Sequence, residues 1–128
     1  MLTRRSAIVM LAGLVGAGAS AVASELRPYD PATVQKAIDS GKPVVVHVYA
    51  PWCLQCHAQA SILQKLSSDK RYDGIAFFKV DYDQQKDVVK ALKAPRSTLI
   101  AWKGGKEVAR MSWGTSEAAV LGVLATVS

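Results

Sequence analysis

Val44-Val45-Val46-His47-Val48-Tyr49-Ala50-Pro51-Trp52-Cys53-Leu54-Gln55-Cys56-His57 is the stretch on which the fold turns. Its first six residues are apolar except for His47, the pattern of a strand covered on both faces, as at the centre of a parallel sheet. The only two cysteines of the 128-residue chain follow, three positions apart. From Cys53 onward the pattern turns helical, with Ile62, Leu63 and Leu66 on one face. Two thiols at the junction of a strand and a helix are placed to exchange electrons. A bridge between them closes a very short loop and constrains the unfolded chain little, so the pair is a poor staple and a good redox centre.

Working outward, Leu26 to Tyr29 reads as a short lead-in. Asp30-Pro31 reads as an N-cap followed by proline at the first helical position, where its missing N–H costs nothing. Val34, Ala37 and Ile38 give that helix an apolar face, and Gly41 suits a left-handed C-terminal cap. Downstream of the cysteines, Ile75 to Val80 is a second long strand and Gln84 to Lys93 a short amphipathic helix. Thr98 to Trp102 is a third strand. Lys103-Gly104-Gly105-Lys106 is a hairpin turn, because paired glycines supply positive φ, and Glu107 to Met111 is its antiparallel return. Ser116 to Val127 is a last helix with Glu117 in its first turn. Strands separated by helices call for a parallel core, and the final hairpin adds an antiparallel edge. The expected class is α/β: three layers, α/β/α, around a mixed sheet.

The amino terminus reads as an export signal, residues 1–23, leaving 24–128 as one domain. Arg4 and Arg5 form a positive region, Ile8 to Ala19 is apolar but short for a membrane span, and Ala21-Val22-Ala23 precedes a cleavage site. Cleavage after Ala21 is the second choice. Thr3-Arg4-Arg5 is compatible with a twin-arginine signal, and the general secretory route is equally open. The expected location is periplasmic, with no stable membrane association once the signal is removed. Lys and Arg number 16 against 10 Asp and Glu. The basic residues are interleaved with acids and form no basic–aromatic stripe, so nucleic-acid binding is unsupported.

Trp52-Cys53-x-x-Cys56 between strand and helix, with Thr98-Leu99-Ile100-Ala101-Trp102-Lys103-x-Gly105 downstream, resembles the thioredoxin superfamily. Lys79 before Val80-Asp81 and Gly114 before the last helix fall into the same register. The resemblance covers roughly residues 30–127. It implies a thioredoxin-like fold and a thiol–disulfide oxidoreductase: a monomer acting on protein thiols and disulfides and recharged by an upstream redox partner. Its working group would be the Cys53–Cys56 disulfide itself, with no other cofactor. Three positions depart from the family pattern. His47 stands where thioredoxins usually carry a buried aspartate beneath the second cysteine; it is either a proton relay or a core histidine bonded to backbone. Ser97 stands where the family has a cis-proline that pairs with substrate and keeps metals off the thiols. A cis bond before a non-proline costs about 3 kcal/mol, so the Arg96–Ser97 bond is expected to be trans; the alternative is a shift that makes Pro95 the equivalent. Ser61 replaces a helix-kinking proline.

The thiolate is the attacking species, and a free cysteine titrates at about 8.5. Cys53 at a helix N-terminus is the expected nucleophile and Cys56, one turn inside, the resolving thiol. Trp52, Arg96 and Ser97 are the expected substrate contacts, Arg96 being either a cation beside the thiols or a solvated loop residue. Leu54-Gln55 brings no positive charge, which favours a moderately reducing pair. A non-catalytic thioredoxin-like binding domain is a rival that the intact cysteines argue against, and two other chemistries stand beside the redox pair. Cys53-x-x-Cys56-His57 fits covalent c-type haem attachment, with Met111 a distant axial candidate. The cysteines with His47 or His57 fit a Zn²⁺ or Cu⁺ site.

Overall fold

The computed structural model describes residues 26–128; the expected export signal lies outside the described residues. Among the described residues five strands and four α-helices follow one another as β1 (Arg27–Pro28), α1 (Pro31–Asp39), β2 (Val44–Tyr49), α2 (Leu54–Ser67), β3 (Ala76–Asp81), α3 (Lys86–Leu92), β4 (Thr98–Lys103), β5 (Lys106–Ser112) and α4 (Glu117–Ala125). They form one sheet of order β1-β3-β2-β4-β5.

The apolar run places β2 at the centre of that sheet. It pairs in parallel with β3, Val46 opposite Phe78, and antiparallel with β4, Val46 opposite Ile100. Side chains of a strand alternate between faces. Val44, Val46 and Val48 therefore pack with Val34, Ile38, Phe78, Val80 and Ile100 beneath α1 and α3. Val45 points to the other face, into a cluster with Leu63, Phe77, Leu99, Val120 and Leu124 from α2 and α4. This is the expected three-layer arrangement. His47 shares the α2 side with Val45, one strand residue from each valine of the opposite face.

Two features differ from the sequence reading. The lead-in contributes β1, a two-residue edge strand parallel to β3, with Arg27 opposite Phe78. Also, β4 runs antiparallel to β2 although a helix separates β4 from β3, so the parallel core is β1, β3 and β2 alone. The local signals hold elsewhere. Asp30 caps α1 by accepting the Thr33 N–H at 2.9 Å, and Gly41 follows the helix at φ +83°. Gly104 and Gly105 turn the hairpin at φ +63° and +82°, values that cost little without a Cβ. Helix α2 runs through Ser61 without interruption.

Candidate active site

Helix α2 begins at the first cysteine. Cys53 is its N-cap, extended at φ −98°, and its Sγ accepts the Cys56 N–H at 3.2 Å. A sulfur in that position receives one of the amide protons that no carbonyl of the helix reaches, together with the positive end of the helix dipole. Both cysteines are free thiols and both are buried, Cys53 2% and Cys56 0% exposed. Burial pushes the Cys53 thiol upward, but the hydrogen bonds from the Cys56 thiol and amide, with the hydrogen bond and charge of Arg96, outweigh it and hold Cys53 below its ordinary value. Burial, followed by the neighbouring Cys53, pushes Cys56 up to about 11. The Cys56 sulfur also lies 3.8 Å from the Val48 carbonyl, a second acceptor within reach of its proton. One thiol is prepared to ionise and the other to keep its proton.

Arg96 is not a solvated loop residue. Its guanidinium lies 4.7 Å from the Trp52 ring centre and 5.0 Å from that of Trp113, stacked between loops of the two halves of the chain. Trp52 is half exposed; its indole N–H donates to Asp83 at 2.9 Å and its ring meets Tyr82 edge-on. With Trp113 and Leu54 also exposed, the mouth of the site is an apolar rim around a cation.

Beneath Cys56 lies a polar cluster. His47 is fully buried, and its Nε2 is 3.0 Å from Gln59 Oε1. The same oxygen accepts the Ser97 hydroxyl at 2.9 Å, while Gln59 Nε2 donates to the Ser97 carbonyl at 3.2 Å and the Gly114 carbonyl at 2.8 Å. His47 is thus bonded to a side chain rather than to backbone, and its Nδ1 has no hydrogen-bond partner among the described residues. Burial, its hydrogen bond to Gln59 notwithstanding, lowers it to about 4, with Lys79 adding in the same direction; near neutral pH it is an uncharged imidazole.

Ser97 occupies the loop beside the cysteines, and every peptide bond among the described residues is trans, those preceding Pro95 and Ser97 included. Its backbone sits in the left-handed region at φ +65°. Its N–H donates to Val48 O at 2.8 Å and its carbonyl accepts Trp113 N–H at 2.8 Å. With both backbone groups engaged and the residue fully buried, Ser97 offers nothing to pair with a substrate backbone. It is corrected here from a substrate contact to a part of the interior beneath Cys56.

Gln59 and Trp113 were absent from the sequence reading. Gln59 was findable: three residues after Cys56 on a helix, it must lie on the same face. Trp113 was not, since only the fold brings it to Arg96. The geometry gives the other two readings no support. His57 is exposed, its Nε2 2.6 Å from the Pro51 carbonyl, and the Met111 sulfur accepts the Gly114 N–H at 3.2 Å. Among the described residues no three His, Cys, Asp or Glu side chains gather as a metal-binding group.

A family model described as Thioredoxin matches residues 26–125. Thioredoxin-2 of Saccharomyces cerevisiae is 40% identical over 92 residues, 70% of this chain and 86% of that protein. Thioredoxin H-type of Fagopyrum esculentum is 38% identical over 78 residues, 60% of this chain and 66% of that one. Among solved structures, Trxlp of Edwardsiella tarda superimposes with a TM-score of 0.73 at 33% identity, covering 81% of this chain and 99% of that chain. The match runs from before β1 to the last residue of α4 and includes the Cys53-x-x-Cys56 pair: the chain belongs to the thioredoxin family.

Proposed function

We propose that this protein is a thiol–disulfide oxidoreductase that reduces protein disulfides in the periplasm. Cys53 attacks the substrate disulfide, Cys56 resolves the mixed disulfide, and a reductase partner returns the pair to the dithiol. The observation that carries this reading is the Cys53 sulfur capping α2 and accepting the Cys56 N–H, because that geometry favours a thiolate on one cysteine of the pair alone. Trp52 and Arg96 form the rim against which the substrate lies.

The reducing direction is supported by how little the site stabilises the dithiol. A pair becomes oxidising when its reduced form is stabilised, chiefly through ionised thiols. Cys56, pushed up to about 11, gives no such help near neutral pH. Burial opposes the Cys53 thiolate, and the hydrogen bonds from Cys56 and Arg96 with the Arg96 charge outweigh it, so that whatever stabilises the dithiol rests on this one thiol. Export rests on Arg4-Arg5 and the apolar run to Ala19.

Equilibration of the protein from a periplasmic fraction, its N-terminus read by sequencing, with glutathione buffers tests the reading. A single reversible two-electron transition below the glutathione potential is expected, lost in both Cys53→Ser and Cys56→Ser. A dithiol that shows no reversible couple would refute the function; a potential above that of glutathione would reverse the direction.

A further inference from the structure

Ser97 lies in the loop beside the thiols, and its hydroxyl is turned inward. The Val48 carbonyl shows how close it comes to Cys56: that one oxygen receives the Ser97 N–H at 2.8 Å and faces the Cys56 S–H at 3.8 Å. The hydroxyl itself donates to Gln59 Oε1 at 2.9 Å. The amide of Gln59 cannot be turned over, because both of its N–H protons are taken by the Ser97 and Gly114 carbonyls. Its oxygen is therefore the acceptor, and His47 is fixed as the tautomer with hydrogen on Nε2.

That arrangement leaves one movable proton. Gln59 Oε1 receives two donors, the Ser97 hydroxyl and the His47 N–H. If the hydroxyl turns away, the oxygen still holds the imidazole N–H and no buried acceptor is abandoned. A proline in this place has no donor to offer, and an aspartate in place of His47 would bring charge where this chain has a neutral ring.

We propose that the Ser97 hydroxyl is a catalytic donor of the resolving step, turning from Gln59 to the Cys56 sulfur as that sulfur becomes a thiolate, with Gln59 and His47 as the positioning residues that hold it. The proposal rests on the Cys53–Cys56 pair acting as described above. In the step, Cys56 gives its proton to solvent and its sulfur attacks Cys53 Sγ. The Cys53–Cys56 bond forms, the bond from Cys53 to the substrate sulfur breaks, and the departing thiolate takes a proton from solvent. Over the full cycle two electrons pass from the pair to the substrate disulfide. Ser97 keeps its proton throughout and changes only its acceptor. The hydroxyl favours the Cys56 thiolate against the burial that opposes it.

The test uses dithiobis-nitrobenzoate, which releases one coloured thiolate when Cys53 attacks and a second when Cys56 resolves the mixed disulfide. Ser97→Gly removes the hydroxyl and suits φ +65° better than serine. It should leave the first phase unchanged and slow the second about tenfold, the loss of one hydrogen bond to a charged group. Ser97→Thr restores the hydroxyl on a β-branched residue that tolerates this φ poorly, so it should recover the second-phase rate although its melting temperature falls. Fold stability and rate then move in opposite directions across the two variants, which a structural role would not produce. An unchanged second phase in Ser97→Gly, or a Ser97→Thr as slow as glycine, overturns the proposal while leaving the redox pair intact. Absence of the second phase from the unsubstituted protein overturns both.

Discussion

At the scale of single residues, Arg96 and Cys53 set the reactivity of the site. The guanidinium lowers the Cys53 pKa and is held for that purpose between two tryptophan faces, which attract cations. Arg96→Met keeps the apolar stem and removes the charge. Fewer Cys53 thiols then ionise near neutral pH, yet each thiolate is more basic and therefore more nucleophilic, with a Brønsted coefficient of roughly 0.4–0.5. The two effects only partly cancel. Alkylation of Cys53 by iodoacetamide should be about threefold slower in the variant near neutral pH, and faster than in the unsubstituted protein once both thiols are fully ionised. Rate profiles that never cross would show that Arg96 does not act through the thiolate. The placement of the two cysteines was legible in the sequence because a Cys-x-x-Cys pair between strand and helix fixes its own geometry. Ser97 and His47 were legible as departures but not as partners. What joins them is Gln59, a polar residue on a helix whose inward face only the packed fold defines.

At the scale of elements, the site is assembled where β4, β5 and the start of α4 close over α2. Gly114 is the tight point of that closure. A Cβ there would stand 2.7 Å from the Met111 sulfur and 2.9 Å from the Ala119 Cβ, so the demand is for space rather than for a special φ. Met111 is not free to retreat without disturbing Gly114 N–H, which its sulfur accepts, or Gln59, whose Nε2 lies 4.0 Å away. Gly114→Ala should cost about 1–3 kcal/mol as overpacking and lower the melting temperature by roughly 5–15 °C, seen by circular dichroism; an unchanged melting temperature would mean that Met111 moves freely. Elements with strong local signals were readable: the Asp30 cap, the Gly104-Gly105 turn and the doubly covered β2. Strand β1 was not, because two exposed residues, one a proline, carry no period. The antiparallel direction of β4 was not either, since it depends on the end of the sheet from which the chain re-enters after α3, which no periodicity reports.

At the scale of the whole molecule, a neutral histidine buried between the sheet and α2 ties the stability of the fold to acid. His47 titrates at about 4 in the folded protein against 6.5 as its ordinary value. Below the ordinary value the unfolded chain takes up a proton that the folded chain refuses, so the unfolded state binds more protons and stability decreases as the pH is lowered. The contribution is fully present above 6.5, is lost progressively as pH drops toward 4, and does not change further below that value. The size is on the order of 3 kcal/mol, a large fraction of the roughly 5–15 kcal/mol that holds a domain of this kind together. Asp30, Asp69 and Glu107 sit below their ordinary values through hydrogen bonds to Thr33, Arg71 and Arg110 respectively, so their own acid responses begin lower, in the carboxylate range. His47→Asn retains an N–H for Gln59 and cannot titrate. Urea unfolding at a series of pH values should therefore give curves that separate: the unsubstituted protein loses about 2–3 kcal/mol more than the variant between neutral pH and the lower end of the window. Parallel curves would mean that His47 finds a proton in the folded state, at its Nδ1 and through water. The polar cluster under Cys56 would then be a charged one, with a cation in place of the neutral ring.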